Sequence, residues 1–177
     1  LCNDRPIVGF CPGAEFGPAK RWPHYHYAAL AKKLIDDGYQ IALFGSAKDN
    51  EAGKEIIAAL SSEQQAWCRN LAGETQLEQA VILIAACKAV VTNDSGLMHV
   101  AAALDRPLVA LYGPSSPDFT PPLSHKARVI RLITGYHKVR KGDAAEGYHQ
   151  SLIDITPERV LQELNELLAE KTEHEEA

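Results

Sequence analysis

Several motifs of common nucleotide-binding, metal-binding and hydrolytic proteins are missing from this sequence of 177 residues. No GxGxxG follows the first apolar segment, which argues against a dinucleotide-binding Rossmann site, and no GxxxxGKS/T occurs, which excludes a P-loop NTPase. The DxD pair of a metal-bridged diphosphate site and the GxSxG of a nucleophile turn are also lacking. The four cysteines are far apart and form no CxxC pair, and the seven histidines show no ligand spacing. We therefore expect free cysteines and no bound metal.

The charge balance and the hydrophobic pattern exclude further classes of protein. The 18 Lys and Arg residues are outnumbered by 23 Asp and Glu residues, and a net charge of −5 does not provide the basic surface that binds nucleic acid. No apolar run approaches the roughly 18 residues of a transmembrane helix. No signal peptide is recognisable either. These features predict a cytoplasmic protein, and the first residue, Leu1, suggests a portion of a longer chain.

Short apolar segments alternate with helical patterns along the chain. Strands are predicted at 6–12, 40–44, 89–92, 107–111 and 128–133. Helices are predicted at 25–37, 49–60, 77–87, 97–104 and from 157 onward, and the one at 77–87 is apolar on all sides, which predicts that it lies between two layers. Strands with few charges, separated by helices, indicate a parallel sheet covered on both faces. Residues 1–177 are therefore predicted to form one doubly wound, Rossmann-like α/β domain with a disordered acidic tail at 170–177.

The segment NDSGLMH at 93–99 carries the strongest chemical signal, because a buried strand there runs directly into a helix. The first turn of that helix has N–H groups without helical partners and the positive end of the helix dipole. Gly96 allows a phosphate to approach the backbone, Ser95 adds a hydroxyl donor, and His99 lies on the same helical face. An equally compatible interpretation is a helix capped by Asp94 or Ser95, with a histidine that serves only in packing.

A long loop at 13–23 follows the first strand and begins with Gly13. Because carboxyl ends of parallel strands share one edge, this loop places Lys20 and Arg21 at the same edge as the 93–99 segment. Lysine can act as a point charge on phosphate, although a single exposed lysine is more often only a solvated charge. Without a metal motif, positive charge for a departing diphosphate would have to come from Lys20 and the helix N terminus.

Three further segments are candidates for ligand contacts. Asp49 and Glu51 follow the second strand, where a carboxylate often holds a ribose, although acids of a helix's first turn are at least as common there. Gly113, after the fourth predicted strand, either walls the sugar or phosphate side of a site or is structural. The segment 134–151 lacks apolar periodicity, and loops of this length are commonly functional. We expect it to contact an anionic acceptor or a neighbouring domain.

Together, four segments resemble glycosyltransferase family 9: PGA at 12–14, KRWP at 20–23, NDSGLMH at 93–99 and YGPSSP at 112–117. The resemblance covers essentially all of residues 5–168. It implies a GT-B enzyme with two Rossmann-like domains facing each other across a cleft, of which this chain is the C-terminal, donor-binding half. It also implies that the enzyme uses ADP-heptose as donor and adds the second heptose to the lipopolysaccharide inner core of Gram-negative bacteria, with inversion and without metal.

The resemblance also implies roles for individual residues. Lys20 would contact the diphosphate and sugar and stabilise the leaving group, Asp94 and His99 would frame the sugar and diphosphate, and Asp49 or Glu51 would meet the ribose. Backbone donors to the phosphates would come from Ser95, Gly96, Leu97 and Met98. The general base and the acceptor site would lie in an N-terminal domain absent from this sequence, so that this chain alone would be nearly inactive. Because the acceptor is a lipid, peripheral attachment at the inner face of the cytoplasmic membrane is a further expectation.

Two other interpretations of the same residues stay open at this point. A sugar-nucleotide epimerase-like GT-B domain would prefer uridine to adenine. A nucleotide-binding module without transfer chemistry would bind ADP whether or not heptose is attached.

Overall fold

The computed structural model describes residues 1–2, 4–14, 17–135, 137, 142 and 144–176, and it gives residues 171–176 by backbone alone. The strands are β1 (Ile7–Cys11), β2 (Gln40–Leu43), β3 (Cys68–Asn70), β4 (Ala89–Asn93), β5 (Leu108–Tyr112) and β6 (Ala127–Arg131). The α-helices are α1 (His24–Asp36), α2 (Asn50–Ala58), α3 (Ser62–Gln65), α4 (Leu77–Ala85), α5 (Gly96–Ala103), α6 (Gln150–Ile153) and α7 (Pro157–Glu176).

The strands form one parallel sheet in the order β3-β2-β1-β4-β5-β6. This is the strand order of the doubly wound fold that binds dinucleotides, so the predicted Rossmann-like architecture is confirmed. The chain leaves β1 toward β2 on one side and later returns to β4 on the other side. The sheet therefore has its topological switch point between β1 and β4, and the loops that follow these two strands diverge and leave a crevice.

Helices cover both faces of the sheet, as the uncharged strands predict. Alternate residues of each strand enter two separate cores: Val109 and Leu111 of β5 pack with α1 and α7, whereas Ala110 and Tyr112 pack with α4 and α5. Burying a large apolar side chain contributes about 1.5–3 kcal/mol. Both cores therefore hold the sheet edge that carries the crevice in a fixed geometry.

Helix α4 does not lie between two layers, and that prediction is wrong. Ile82 is 68% exposed, while Ala80 and Ile84 on the opposite side pack against the sheet. Leu77, the first residue of the helix, is 65% exposed. The strand β3 was not predicted at all, because its three residues, Cys-Arg-Asn, carry little apolar signal at the edge of the sheet.

The last helix and the cysteine side chains complete the fold. Helix α7 continues to Glu176 through the acidic segment predicted to be disordered, and the Glu and Lys residues of that segment are good helix formers. All four cysteines are free thiols, as predicted, and Cys11 and Cys87 lie in the core. Burial raises the pKa of Cys11 to about 12, so this thiol stays protonated at neutral pH.

None of the helices within the described ranges combines the length and apolar character that crossing a bilayer requires.

Candidate functional site

A cleft of about 400 Å³ opens at the carboxyl edge of the sheet, beside the switch point. Loops after β1 and β2 form one wall, and the first turn of α5 forms the other. Its lining residues are Cys11, Gly13, Ala14, Phe44, Gly45, Ser46, Lys48, Asp49, Leu77, Ser95, Gly96, Leu97 and Val100. Five candidates from the sequence thus meet in one cavity: Gly13, Asp49, Ser95, Gly96 and Leu97.

The first turn of α5 is open toward this cleft. Ser95 is the N-cap residue, yet its side chain makes no capping hydrogen bond, and its hydroxyl instead lies 3.3 Å from Thr92 Oγ1. The first N–H groups of a helix have no acceptor within the helix, which leaves those of Gly96 and Leu97 as donors at the cleft wall. A side chain added at Gly96 would meet no atom within 4 Å. The turn therefore has the donors, the dipole and the space that an anion requires.

The Asp49 carboxylate connects the loops after β1 and β2. Its Oδ2 accepts from the Ser46 backbone N–H at 2.9 Å and lies 3.2 Å from the Ser46 hydroxyl, while its Oδ1 lies 3.4 Å from Arg21 Nη2. A Cβ at Gly13 would lie 2.3 Å from Oδ1, and one at Gly45 would lie 2.6 Å from Oδ2. Asp49 thus serves as an acid in the first turn of a helix, which was the alternative interpretation of this residue. Gly13 and Gly45 are required because the backbone at both positions passes close to the Asp49 carboxylate.

Asn93, which was not among the predicted site residues, connects three segments at the switch point. Its side chain is fully buried at the end of β4. The Oδ1 atom accepts from the Trp22 backbone N–H at 3.0 Å and from the Tyr27 hydroxyl at 2.8 Å. The Nδ2 atom donates to the Pro12 carbonyl at 2.7 Å and to the Gly13 carbonyl at 3.3 Å. Asn93 therefore sets the position of the loop after β1 relative to the first turn of α5.

Lys20 ends a 3₁₀ turn over Pro18–Lys20 and is half-buried. The loop is fixed immediately beyond it, because the Trp22 indole is buried and its Nε1 donates to the Ile155 carbonyl at 2.9 Å. Lys20 does not line the cleft itself, but it belongs to a segment whose following residues are held by Asp49 and Asn93. Its role in ligand binding stays a prediction.

Glu51, Asp94 and His99 lie outside the cleft lining. Glu51 is exposed on α2 and pairs with Lys54 at 3.1 Å, because its position in the helix directs it to solvent. Asp94 Oδ2 accepts from the Thr120 hydroxyl at 3.0 Å. His99 is exposed on α5.

Met98 and Gly113 have packing roles in this structure. The Met98 backbone N–H donates to the Ser95 carbonyl at 3.2 Å, so it is not the open donor that was predicted. Its buried Sδ accepts from the Tyr112 hydroxyl at 3.2 Å. A Cβ at Gly113 would lie 2.7 Å from Leu152, so this glycine permits close packing of α6 rather than lining the cleft.

The Tyr112 hydroxyl, which lies beside α5, stays protonated and therefore acts as a hydrogen-bond donor. Burial raises the pKa of Tyr112 well above its usual value, and the nearby Asp94 carboxylate raises it further. The neutral phenol has a single proton, which it shares between Met98 Sδ and the Thr120 carbonyl. This contact ties the loop after β5 to the helix that opens at the cleft.

The segment 134–151 is described only in part. Tyr136, Lys138, Arg140 and Lys141, which carry much of its predicted anion-binding character, lie outside the described residues. Its 3₁₀ turn over Ala145–Gly147 packs beside the turn that carries Lys20. The expected contact with an acceptor or a second domain stays a prediction.

The sequence did not identify several residues of the cleft. Lys48 adds an exposed cation beside Ser46, and an apolar wall is formed by Phe44, Leu77, Leu97 and Val100. Only Leu97 of that wall was among the candidates. Phe44 follows β2, Leu77 begins α4 and Val100 lies within α5, and a short sequence segment does not show that they converge.

Comparison with known proteins gives a consistent family. The model of glycosyltransferase family 9 (heptosyltransferase) matches residues 2–149. Lipopolysaccharide heptosyltransferase 2 of Salmonella typhimurium is 86% identical over 97% of this chain and 49% of its own length. Lipooligosaccharide heptosyltransferase 2 of Haemophilus influenzae is 69% identical over 96% and 49% of the two chains. The chain thus spans about half the length of the curated relatives it matches.

Solved structures agree with these relatives. The structure of E. coli ADP-heptose lps heptosyltransferase II superimposes with a TM-score of 0.90 at 80% identity, over 97% of this chain and 49% of that one. E. coli heptosyltransferase WaaC with ADP superimposes with a TM-score of 0.71 at 27% identity, over 94% and 46% of the two chains.

Proposed function

This chain belongs to glycosyltransferase family 9, and on that premise we propose that it is the donor-binding half of an inverting heptosyltransferase that adds the second heptose to the lipopolysaccharide inner core. Its ligand would be ADP-L-glycero-D-manno-heptose. The observation that carries this proposal is the cleft at the switch point, into which α5 opens without a side-chain cap. The 86% identity to a heptosyltransferase 2 and the superposition on a heptosyltransferase II support the choice of donor.

The diphosphate would lie against the first turn of α5. The N–H groups of Gly96 and Leu97 and the Ser95 hydroxyl supply neutral donors there, at the positive end of the helix dipole. Lys20 would supply the full positive charge that stabilises the departing ADP, as fixed donors do for charge that develops in a transition state. With these groups in place the transfer would need no metal at the diphosphate.

The nucleoside would occupy the remainder of the cleft. Phe44, Leu77 and Val100 offer an apolar wall of the kind that a flat adenine ring requires. Asp49 Oδ1 is the carboxylate oxygen available to a ribose hydroxyl, because its contact with Arg21, at 3.4 Å, is long. Oδ2 is already engaged by Ser46.

The acceptor-binding part of the enzyme would correspond to the half of the relatives that this chain does not match. An inverting transfer requires a general base within hydrogen-bond reach of the acceptor hydroxyl, and the resemblance assigns that base and the lipopolysaccharide acceptor to an N-terminal domain. We therefore expect the chain alone to bind donor but to transfer almost none. The reaction would take place in the cytoplasm, at the inner face of the membrane that holds the acceptor.

Gly96→Ala should separate ligand binding from folding. Because the added methyl group meets no atom within 4 Å, the free energy of unfolding should change by less than about 0.5 kcal/mol. The same methyl group occupies the space through which a phosphate approaches the backbone, so the affinity for ADP-heptose should fall at least about tenfold, or about 1.4 kcal/mol. Urea unfolding and calorimetric titration measure the two quantities. Equal affinity in the variant and the unmodified chain would place the diphosphate elsewhere.

A further inference from the structure

A second cluster of polar side chains lies outside the cleft lining and is not used by the proposed transfer. It is centred on His24, the first residue of α1, whose Nδ1 lies 3.1 Å from Glu55 Oε2 and 3.6 Å from Glu146 Oε2. Glu55 belongs to α2 and Glu146 to the 3₁₀ turn over Ala145–Gly147. One ligand atom from each residue lies within 4.8 Å of the other two. Three separate elements therefore direct metal-ligating atoms toward one point.

Two carboxylates and a tyrosine hydroxyl surround the His24 ring nitrogen. The Tyr148 hydroxyl accepts a hydrogen bond from the His24 backbone N–H at 3.2 Å, and it lies 2.8 Å from His24 Nδ1. Both Glu55 and Glu146 present a carboxylate here, and one oxygen of each lies within 4.8 Å of the other. Like charges this close are unfavourable without a cation between them.

The distances from His24 Nδ1 to the two carboxylates are close to those around a metal ion. Zinc bonds of about 2.0–2.2 Å in tetrahedral geometry place neighbouring ligand atoms roughly 3.3–3.6 Å apart, and the two distances from His24 Nδ1 are 3.1 Å and 3.6 Å. An imidazole nitrogen with two carboxylates suits zinc or another divalent transition metal better than Mg²⁺ or Ca²⁺, which prefer oxygen ligands throughout. We infer that His24, Glu55 and Glu146 form a binding site for one divalent transition-metal ion of the Zn²⁺ type, with water as a fourth ligand.

The position of this site indicates a structural role. The turn that carries Glu146 lies directly on the turn that carries Lys20, since a Cβ at Gly147 would be 2.9 Å from Pro18 Cγ. A metal bound to Glu146 would tie this turn to α1 and α2. This metal site lies outside the cleft and does not depend on donor binding.

The test is a titration of the metal-free chain with Co²⁺, whose visible absorption reports tetrahedral coordination. A Cys2→Ser background removes the exposed thiol as a competing ligand. We expect one Co²⁺ per chain, displaced by Zn²⁺. Affinity should fall by more than about tenfold in His24→Gln, Glu55→Gln and Glu146→Gln, because even outer-shell changes at metal sites cost this much.

Two substitutions of exposed residues serve as matched controls: His125→Gln for the histidine and Glu63→Gln for a glutamate. Both should bind Co²⁺ as the background does. Far-ultraviolet circular dichroism without metal checks that each variant is folded, and if His24→Gln is not, the exposed Glu55 and Glu146 decide the question. Absence of stoichiometric binding, or unchanged affinity in both glutamate variants, would overturn the inference.

Discussion

Replacing Lys20 with alanine is expected to weaken the binding of ADP-heptose at least tenfold, or about 1.4 kcal/mol. The substitution removes a cation two residues before the anchored Trp22, and a hydrogen bond to a charged group is worth about 1.5–3 kcal/mol. The backbone donors of Gly96 and Leu97 remain, so binding should be weakened rather than abolished. Calorimetric titration of both proteins at one ionic strength measures the difference.

Lys32→Ala is the matched control, because it removes the same charge from an exposed position on α1. It should leave the affinity unchanged. If both lysine variants lose affinity equally, the effect is one of net charge, and Lys20 has no specific contact with the diphosphate.

Asn93→Leu is expected to lower the free energy of unfolding by at least about 3 kcal/mol, since each buried group left without a partner costs about 1–3 kcal/mol. Leucine has a similar size but cannot replace the amide, which accepts from Trp22 and Tyr27 and donates to Pro12 and Gly13. Urea unfolding followed by circular dichroism measures the loss. Any variant that still folds should also bind donor less tightly, because the loop after β1 is no longer held against β4.

Thr92→Val provides the comparison for Asn93. Thr92 is equally buried in β4, and its hydroxyl donates one hydrogen bond, at 2.8 Å, to the Asn93 carbonyl. Its loss should cost only about 1 kcal/mol. Equal costs for the two variants would show that Asn93 acts as an ordinary core residue and not as the connection between three segments.

Strands and the helices between them could be predicted because their signal is local. The apolar segments at β1, β4 and β5 are continuous, and α7 has a proline and an acid in its first turn. The carboxyl edge followed from strand direction alone. The residues that meet there were therefore found in part, including Ser95 and Gly96.

What the sequence could not predict depends on contacts between distant residues. The chemistry of Asn93 is visible only when Trp22 and Tyr27 are seen to lie against β4. Histidine spacing likewise did not reveal the cluster at His24, because the carboxylates beside it come from other elements. The exposed side of α4 was missed since periodicity reports apolar character and not what covers it.

The most direct test of donor binding is calorimetric titration of this chain with ADP-heptose, ADP and UDP under identical conditions. The proposed role as the donor-binding half of a heptosyltransferase, supported by the 86% identity to a heptosyltransferase 2, predicts that ADP-heptose binds most tightly, ADP more weakly and UDP most weakly. Equal binding of ADP and ADP-heptose would contradict this account and indicate a nucleotide-binding module without transfer chemistry. Tighter binding of UDP would also contradict it and indicate an epimerase-like domain.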